Sequence, residues 1–158
     1  MFTLTVNCKL RTPVERASVE EYGQNEVSMK DEVQKTFDEI FSRGVDLFNA
    51  KEFFECHDAF EELWQEERTD RRLFLQGLIQ AAVACHHLSN GNTSGAISQY
   101  TKSLDKLKQY PDDYMRLDMK TFRKEIERCF DGACLMNAKG VKYEVDNSFF
   151  PELQRIHP

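Results

Sequence analysis

The sequence predicts an all-α protein, a bundle of about five helices built from antiparallel helical hairpins. Three observations carry that expectation. Between residues 28 and 135 apolar residues return every three or four positions, the spacing of a helix that buries one face. The stretch R-R-L-F-L-Q-G-L-I-Q-A-A-V-A-C-H-H-L-S-N-G-N, from Arg71 to Asn92, is apolar nearly all the way round, as a helix at the centre of a bundle must be. The break before it is short, and short breaks join helices that pack antiparallel.

Each element has its own signal. Phe2, Leu4, Val6, Cys8 and Leu10 alternate with Thr3, Thr5, Asn7 and Lys9, the period of a strand. A single strand leaves its backbone groups unpaired, and the other alternating run is Val141, Tyr143 and Val145. A minor strand pairing of the two termini is therefore expected, against the alternative that both are tails. Residues 11–27, with Pro13 and Gly23, read as linker, so residues 1–27 form an N-terminal strand and linker extension. The helical domain spans residues 28–135. Ser28 caps its first helix, which carries Val33, Phe37, Ile40, Phe41, Val45 and Phe48 inward and ends near Asn49 and Ala50. A second helix covers about Glu52 to Glu67. Its wheel puts Phe53, Cys56, His57, Phe60, Leu63 and Trp64 on one face and Glu55, Asp58, Glu62 and Glu66 on the other. Thr69 and Asp70 cap the central helix, and Gly91 ends it. A fourth helix runs from about Thr93 with Ile97, Tyr100, Leu104 and Leu107 in one seam, and Pro111 stops it. A fifth, about Asp118 to Leu135, turns Phe122, Ile126, Cys129 and Phe130 inward. Residues 136–158 form an irregular C-terminal extension containing Pro151.

Composition narrows the function classes. A chain of 158 residues suits one domain with a real core. Lys and Arg number 21 against 27 Asp and Glu, a net charge of −6. That excludes the basic stripe a nucleic-acid binder needs and the polybasic segment of a membrane anchor. No apolar run approaches the ~20 residues of a bilayer span, so neither nucleic acid nor membrane is an expected partner. The five cysteines, at 8, 56, 85, 129 and 134, are odd in number and three lie in helical patterns, which reads as reduced thiols. The N-terminus lacks a long apolar run, and Glu15, Glu20, Glu21 and Glu26 do not suit a transit peptide, so the expected location is cytoplasmic.

One stripe on the central helix is polar. At about 100° per residue, Gln76, Gln80, Val83 and His87 share a narrow sector, and buried polar groups need partners. In an antiparallel hairpin the second helix would bring Glu61 and Trp64 near Gln76, and His57 near Gln80 or His87.

At these residues the sequence resembles a known family. The runs F-N-A-K-E-F-F-E-C-H-D-A-F-E-E-L-W (48–64), R-L-F-L-Q-G-L-I-Q-A-A-V-A-C-H-H (72–87) and G-N-T-S-G-A (91–96) look like the domain of unknown function 309 family. Its pattern falls on His57, Asp58, Glu61, Trp64, Gln76, Gly77, Gln80, His87, Gly91, Asn92, Gly95 and Ala96. The resemblance covers about residues 36–108. Asp58 stands where Glu is usual, and Phe54 and Phe60 stand where Tyr and Leu are common. It implies a compact all-helical fold and carries the expectation of a metal-dependent hydrolase, with no substrate named.

Three functions are open. Two His and a carboxylate on adjacent helices are the ligand types of a divalent transition metal, which would acidify a water for hydrolysis. His57, His87 and Glu61 would hold the metal, or Glu61 would act as the catalytic general base. Gln76 and Gln80, with Trp64 beside them, would bind and orient a small-molecule ligand. Alternatively the His/Glu/Gln cluster is a structural core network that fixes helix register. Third, the protein is a helical scaffold or interaction module whose acidic face meets a protein partner.

Overall fold

The computed structural model describes the backbone of residues 13–157 and the side chains of residues 29–157. The chain divides into two units, Met1–Phe37 and Asp38–Pro158. Among the described residues there are five α-helices: α1 Pro13–Asn49, α2 Phe53–Glu66, α3 Arg71–Ser89, α4 Thr93–Leu107 and α5 Met119–Ala138. Short 3₁₀ turns lie at Tyr114–Arg116 and Asn147–Phe149. The all-α class holds, and no helix among the described residues is long and apolar enough to cross a membrane.

In the first unit the described chain is the leading part of α1. The helix starts at Pro13, not at Ser28, so most of the expected linker is helical. Proline at the first helical position loses no hydrogen bond, because that N–H has no helical partner anyway. The Glu, Ala, Arg and Gln content of the following residues outweighs the roughly 1 kcal/mol that Gly23 costs.

The second unit is built around α3, which packs against both α2 and α4, while α4 also packs on α5. Phe74, Leu75, Leu78, Ala81, Ala82, Ala84 and Cys85 are fully buried along α3. The α3–α4 approach depends on Gly77, where a Cβ would come 2.7 Å from Leu107 Cδ2. There the Ser103 hydroxyl donates to the Gly77 carbonyl at 2.7 Å. The last turns of α1 bury Phe41, Val45 and Phe48, with Phe48 against Phe53 at 5.3 Å and Phe122 at 5.6 Å between ring centres.

Two helix ends share one device. After α3, Gly91 takes φ +74° while Asn92 N–H reaches His87 O at 2.8 Å. After α1, Lys51 takes φ +67° while Glu52 N–H reaches Leu47 O at 3.0 Å. Both close helix-end carbonyls through a left-handed residue. Asn92 and Asp118 then cap α4 and α5, accepting from Gly95 N at 3.0 Å and Thr121 N at 2.9 Å. Asp70, expected as a cap for α3, makes no side-chain cap bond; the Thr69 hydroxyl takes Arg71 N–H instead.

The expected strand pairing is not formed by the described chain. Residues 2–10 lie outside the described residues, and Val141, Tyr143 and Val145 lie in irregular chain. Tyr143 and Val145 are half-buried while Val141, Lys142 and Glu144 are exposed, so the segment turns alternate side chains inward. Tyr143 lies on α5, where a Cβ on Gly132 would come 2.7 Å from its hydroxyl.

The C-terminal segment is irregular, as expected, but it packs. Phe150, Pro151 and Leu153 are buried, and the Phe150 ring lies 5.0 Å from that of Phe53. Asn49 clamps the backbone of Leu153, accepting from its N–H at 2.7 Å and donating to its carbonyl at 3.0 Å. An antiparallel bridge joins Leu117 and Arg155.

Candidate metal centre

The turn at Lys51 sets the start of α2 and so the direction of its side chains. Phe53, Cys56, Ala59, Phe60 and Leu63 are buried. His57 does not point fully into that face. It lies at the edge, its side chain 28% exposed, between Asp58 at 60% and Glu61 at 42%. His57 Nδ1 is 3.0 Å from Asp58 Oδ1, and His57 Nε2 is 3.6 Å from Glu61 Oε2. Among the described residues this is the one group of three or more metal-ligating side chains whose ligand atoms lie within 4.8 Å of one another.

Asp58 is the member that the sequence reading left on the solvated face. The signal was the His57-Asp58 dipeptide itself, since an adjacent carboxylate can receive the Nδ1–H. With the proton there, the Nε2 lone pair is free and directed toward Glu61.

The other expected site residues lie elsewhere. His87 does not join the group; its Nδ1 sits 3.4 Å from Asn92 Nδ2 at the end of α3. Gln80 accepts from Lys106 Nζ of α4 at 2.9 Å. Gln76 is half-buried on the same stripe. Trp64 is covered by Arg72, whose guanidinium carbon is 3.7 Å from the ring centre. The antiparallel hairpin is as expected, with Trp64 beside Arg72 at one end and Phe54 beside His86 at the other, ring centres 5.8 Å apart. The polar stripe, however, engages α4 and the following turn. A helical wheel gives the direction of a stripe but not which neighbour it meets.

Two further chemical features stand out. Glu67 is buried in the α2–α3 turn. Its Oε1 accepts from Arg68 N, Thr69 N and the Thr69 hydroxyl, each at 2.8 Å, and its Oε2 faces Arg71 Nε at 2.9 Å. Burial alone would push this carboxyl up, but the Thr69 and Arg68 donors and the Arg71 charge prevail and hold it below the usual range. Cys56, Cys85 and Cys129 are free, buried thiols. Burial pushes Cys129 up to about 11 and raises Cys56 and Cys85 as well, which leaves them inert core fillers.

Fold and site together define an all-helical protein with a half-exposed His–carboxylate group on the edge of its central hairpin. Residues 41–99 match the family model described as Domain of unknown function (DUF309). Uncharacterized protein YpuF of Bacillus subtilis (strain 168) is 40% identical over 53 residues, 33% of this chain and 30% of that protein. An uncharacterized protein of Aquifex aeolicus (strain VF5) is 22% identical over 108 residues, 68% of this chain and 32% of that protein. The chain spans about a third of the length of these curated relatives.

Proposed function

We propose that this protein binds a divalent transition-metal ion through His57 and Glu61, with Asp58 holding the imidazole. One observation carries the reading: Nε2 of His57 lies 3.6 Å from Glu61 Oε2 while Nδ1 rests on Asp58. Two ligands of a tetrahedral ion, each ~2.1 Å from it, are roughly 3.4 Å apart, so the pair is already spaced for one ion. The carboxylate on the far ring nitrogen is the partner that metal-binding histidines habitually use. A bound ion would supply Lewis acidity to a carbonyl or a water, the chemistry of a metal-dependent hydrolase. In that chemistry the chain's own contribution is ligation by His57, with Glu61 as a ligand or as the base that takes a proton. Gln76, Gln80 and Trp64 would meet a small molecule only after Gln80 left Lys106 and Arg72 left the indole.

A second reading has its own support. Gln80 to Lys106, Ser103 to the Gly77 carbonyl and His87 beside Asn92 all join α3 to α4 or its cap. These contacts suit a helical scaffold whose polar stripe fixes register.

The test is metal content of untagged protein purified without chelator, followed by titration with zinc, manganese and iron. The expected result is saturable binding that falls at least tenfold in His57→Ala and Glu61→Gln. Asp58→Asn should weaken it by about 10–100-fold, as loss of a partner behind the ligand does. No binding, or equal binding by His57→Ala, would overturn the metal reading and leave the scaffold.

A further inference from the structure

We propose that the groove holding residues 150–156 is a peptide-docking site, filled in the resting chain by the chain's own segment and taken by an outside one when that segment lifts. Neither His57 nor Glu61 takes part. The contacts are those of a bound peptide rather than of a core element, because main-chain groups of the segment are met one by one from outside it. Asn49 grips Leu153 by both its N–H and its carbonyl, at 2.7 and 3.0 Å. Glu125 accepts from Glu152 N–H at 3.2 Å, and Lys51 Nζ reaches the Pro151 carbonyl at 3.5 Å. The loop before α5 takes the rest, with Asp118 N–H on Gln154 O at 2.9 Å and Ile156 N–H on Arg116 O at 2.8 Å. Bonds to main chain give affinity for an extended segment, and pockets for particular side chains give the selection. Here Phe150, Pro151 and Leu153 are buried in the groove, while Glu152, Gln154 and Ile156 are exposed.

The segment is built to leave. Phe150 has φ −67° and ψ 141°, the polyproline conformation that a following proline favours, so the free segment already leans to its bound shape. The connection from α5 is exposed at residues 139–142, 144 and 146. A Cβ on Gly140, at φ +66°, would meet nothing within 4 Å. Docking also holds Met115 and Arg116 at φ +51° and +57°, a strain that release relieves. The resident segment states the chemistry of its competitor: an extended segment of another protein with an aromatic–proline pair, a leucine two residues after the proline and a basic residue two further on. These are the places of Phe150, Pro151, Leu153 and Arg155. Arg155 pairs with Asp46 at 2.8 Å, and Glu125 stands beside Glu152, so the rim of the groove is acidic. The chain carries a net charge of −6. A basic partner is drawn to it, whereas a second copy at −6 is repelled.

The experiment is fluorescence anisotropy of a labelled peptide, N-S-F-F-P-E-L-Q-R-I-H, the sequence of residues 147–157, titrated with the full chain. The Leu153→Ala chain, whose own segment is weakened and whose groove is untouched, should bind it at least about tenfold tighter than the wild type, whose affinity is reduced by its small open fraction. Adding Asn49→Ala to that chain should abolish the binding, and so should Leu153→Ala in the peptide. Circular dichroism checks that the variants remain helical. Hydrogen exchange on the wild type gives a second reading that needs no variant: the Leu153 and Ile156 amides should exchange through an opening that leaves Leu75 and Leu78 of α3 protected. Exchange of all four together overturns the proposal, because the segment is then core. A helical Leu153→Ala chain that takes up no peptide overturns it too, as does binding that survives Asn49→Ala. Wild-type dimers that form on concentration and are absent in Leu153→Ala would make the occupant a second copy's segment and overturn the outside partner.

Discussion

Glu67 is ionised inside the protein, and the reason is local. Four donors surround its two oxygens, and Arg71 lends a full charge. Its folded pKa is below its unfolded one, so the stability it contributes is complete above the ordinary Glu value of about 4.3 and is lost as pH falls through the lower folded value. Glu67→Gln should cost about 1–3 kcal/mol near neutral pH, since the Arg71 and Thr69 donors lose a charged partner. It should also flatten the acid limb: urea unfolding at neutral and acidic pH should show the variant losing less on acidification than the wild type. Parallel losses would show that the carboxyl is not held below its usual range. From the sequence Glu67 was only the approximate end of the second helix, because its burial comes from the turn that folds back over it. By contrast, the His57–Glu61 proximity was legible, since a separation of four on one helix is a local distance.

The helices themselves were largely legible because their ends are chemical. Asn92, Asp118 and Gly91 act where the sequence places a stop or a start. The start of α1 was not, because Pro13 suits both a linker and a first helical turn. Nor were the partners of the α3 stripe, because two helices compete for each face of a central one. The contact of α3 with α4 can be tested at Gly77. Alanine there gains about 1 kcal/mol in helix propensity, yet its Cβ would sit 2.7 Å from Leu107 Cδ2 and 2.9 Å from Leu107 Cγ. Leu107 is 1% exposed and has little room to withdraw. Gly77→Ala should therefore destabilise by about 1–3 kcal/mol, the cost of overpacking a filled core. In a thermal-melt double-mutant cycle, Gly77→Ala with Leu107→Ala should cost less than the two losses added. Additive losses would mean the two helices do not meet at this point.

The C-terminal segment closes the second unit on itself. Asn49 grips Leu153, and Arg155 donates to the Ser42 carbonyl at 3.0 Å and pairs with Asp46 at 2.8 Å, so the end of the chain lies along α1. The same segment holds the loop before α5. Ile156 N–H donates to Arg116 O at 2.8 Å, and Asp118 N–H to Gln154 O at 2.9 Å. Met115 and Arg116 in that loop have φ of +51° and +57°, a conformation costing of order 1–3 kcal/mol per residue unless the surroundings enforce it. Phe150 and Leu153 are 4% and 1% exposed, and burying each contributes about 1.5–3 kcal/mol. Against a typical total of ~5–15 kcal/mol, this segment is a large share of the stability. A chain ending after Asp146 should melt far lower than the full chain, and Leu117 and Asp118 should gain hydrogen–deuterium exchange first. Asn49→Ala should move both observables the same way by a smaller amount, since it removes two hydrogen bonds and leaves the Phe150 contact. A truncated chain with an unchanged melting temperature would mean that the packed segment lies on a core already complete without it.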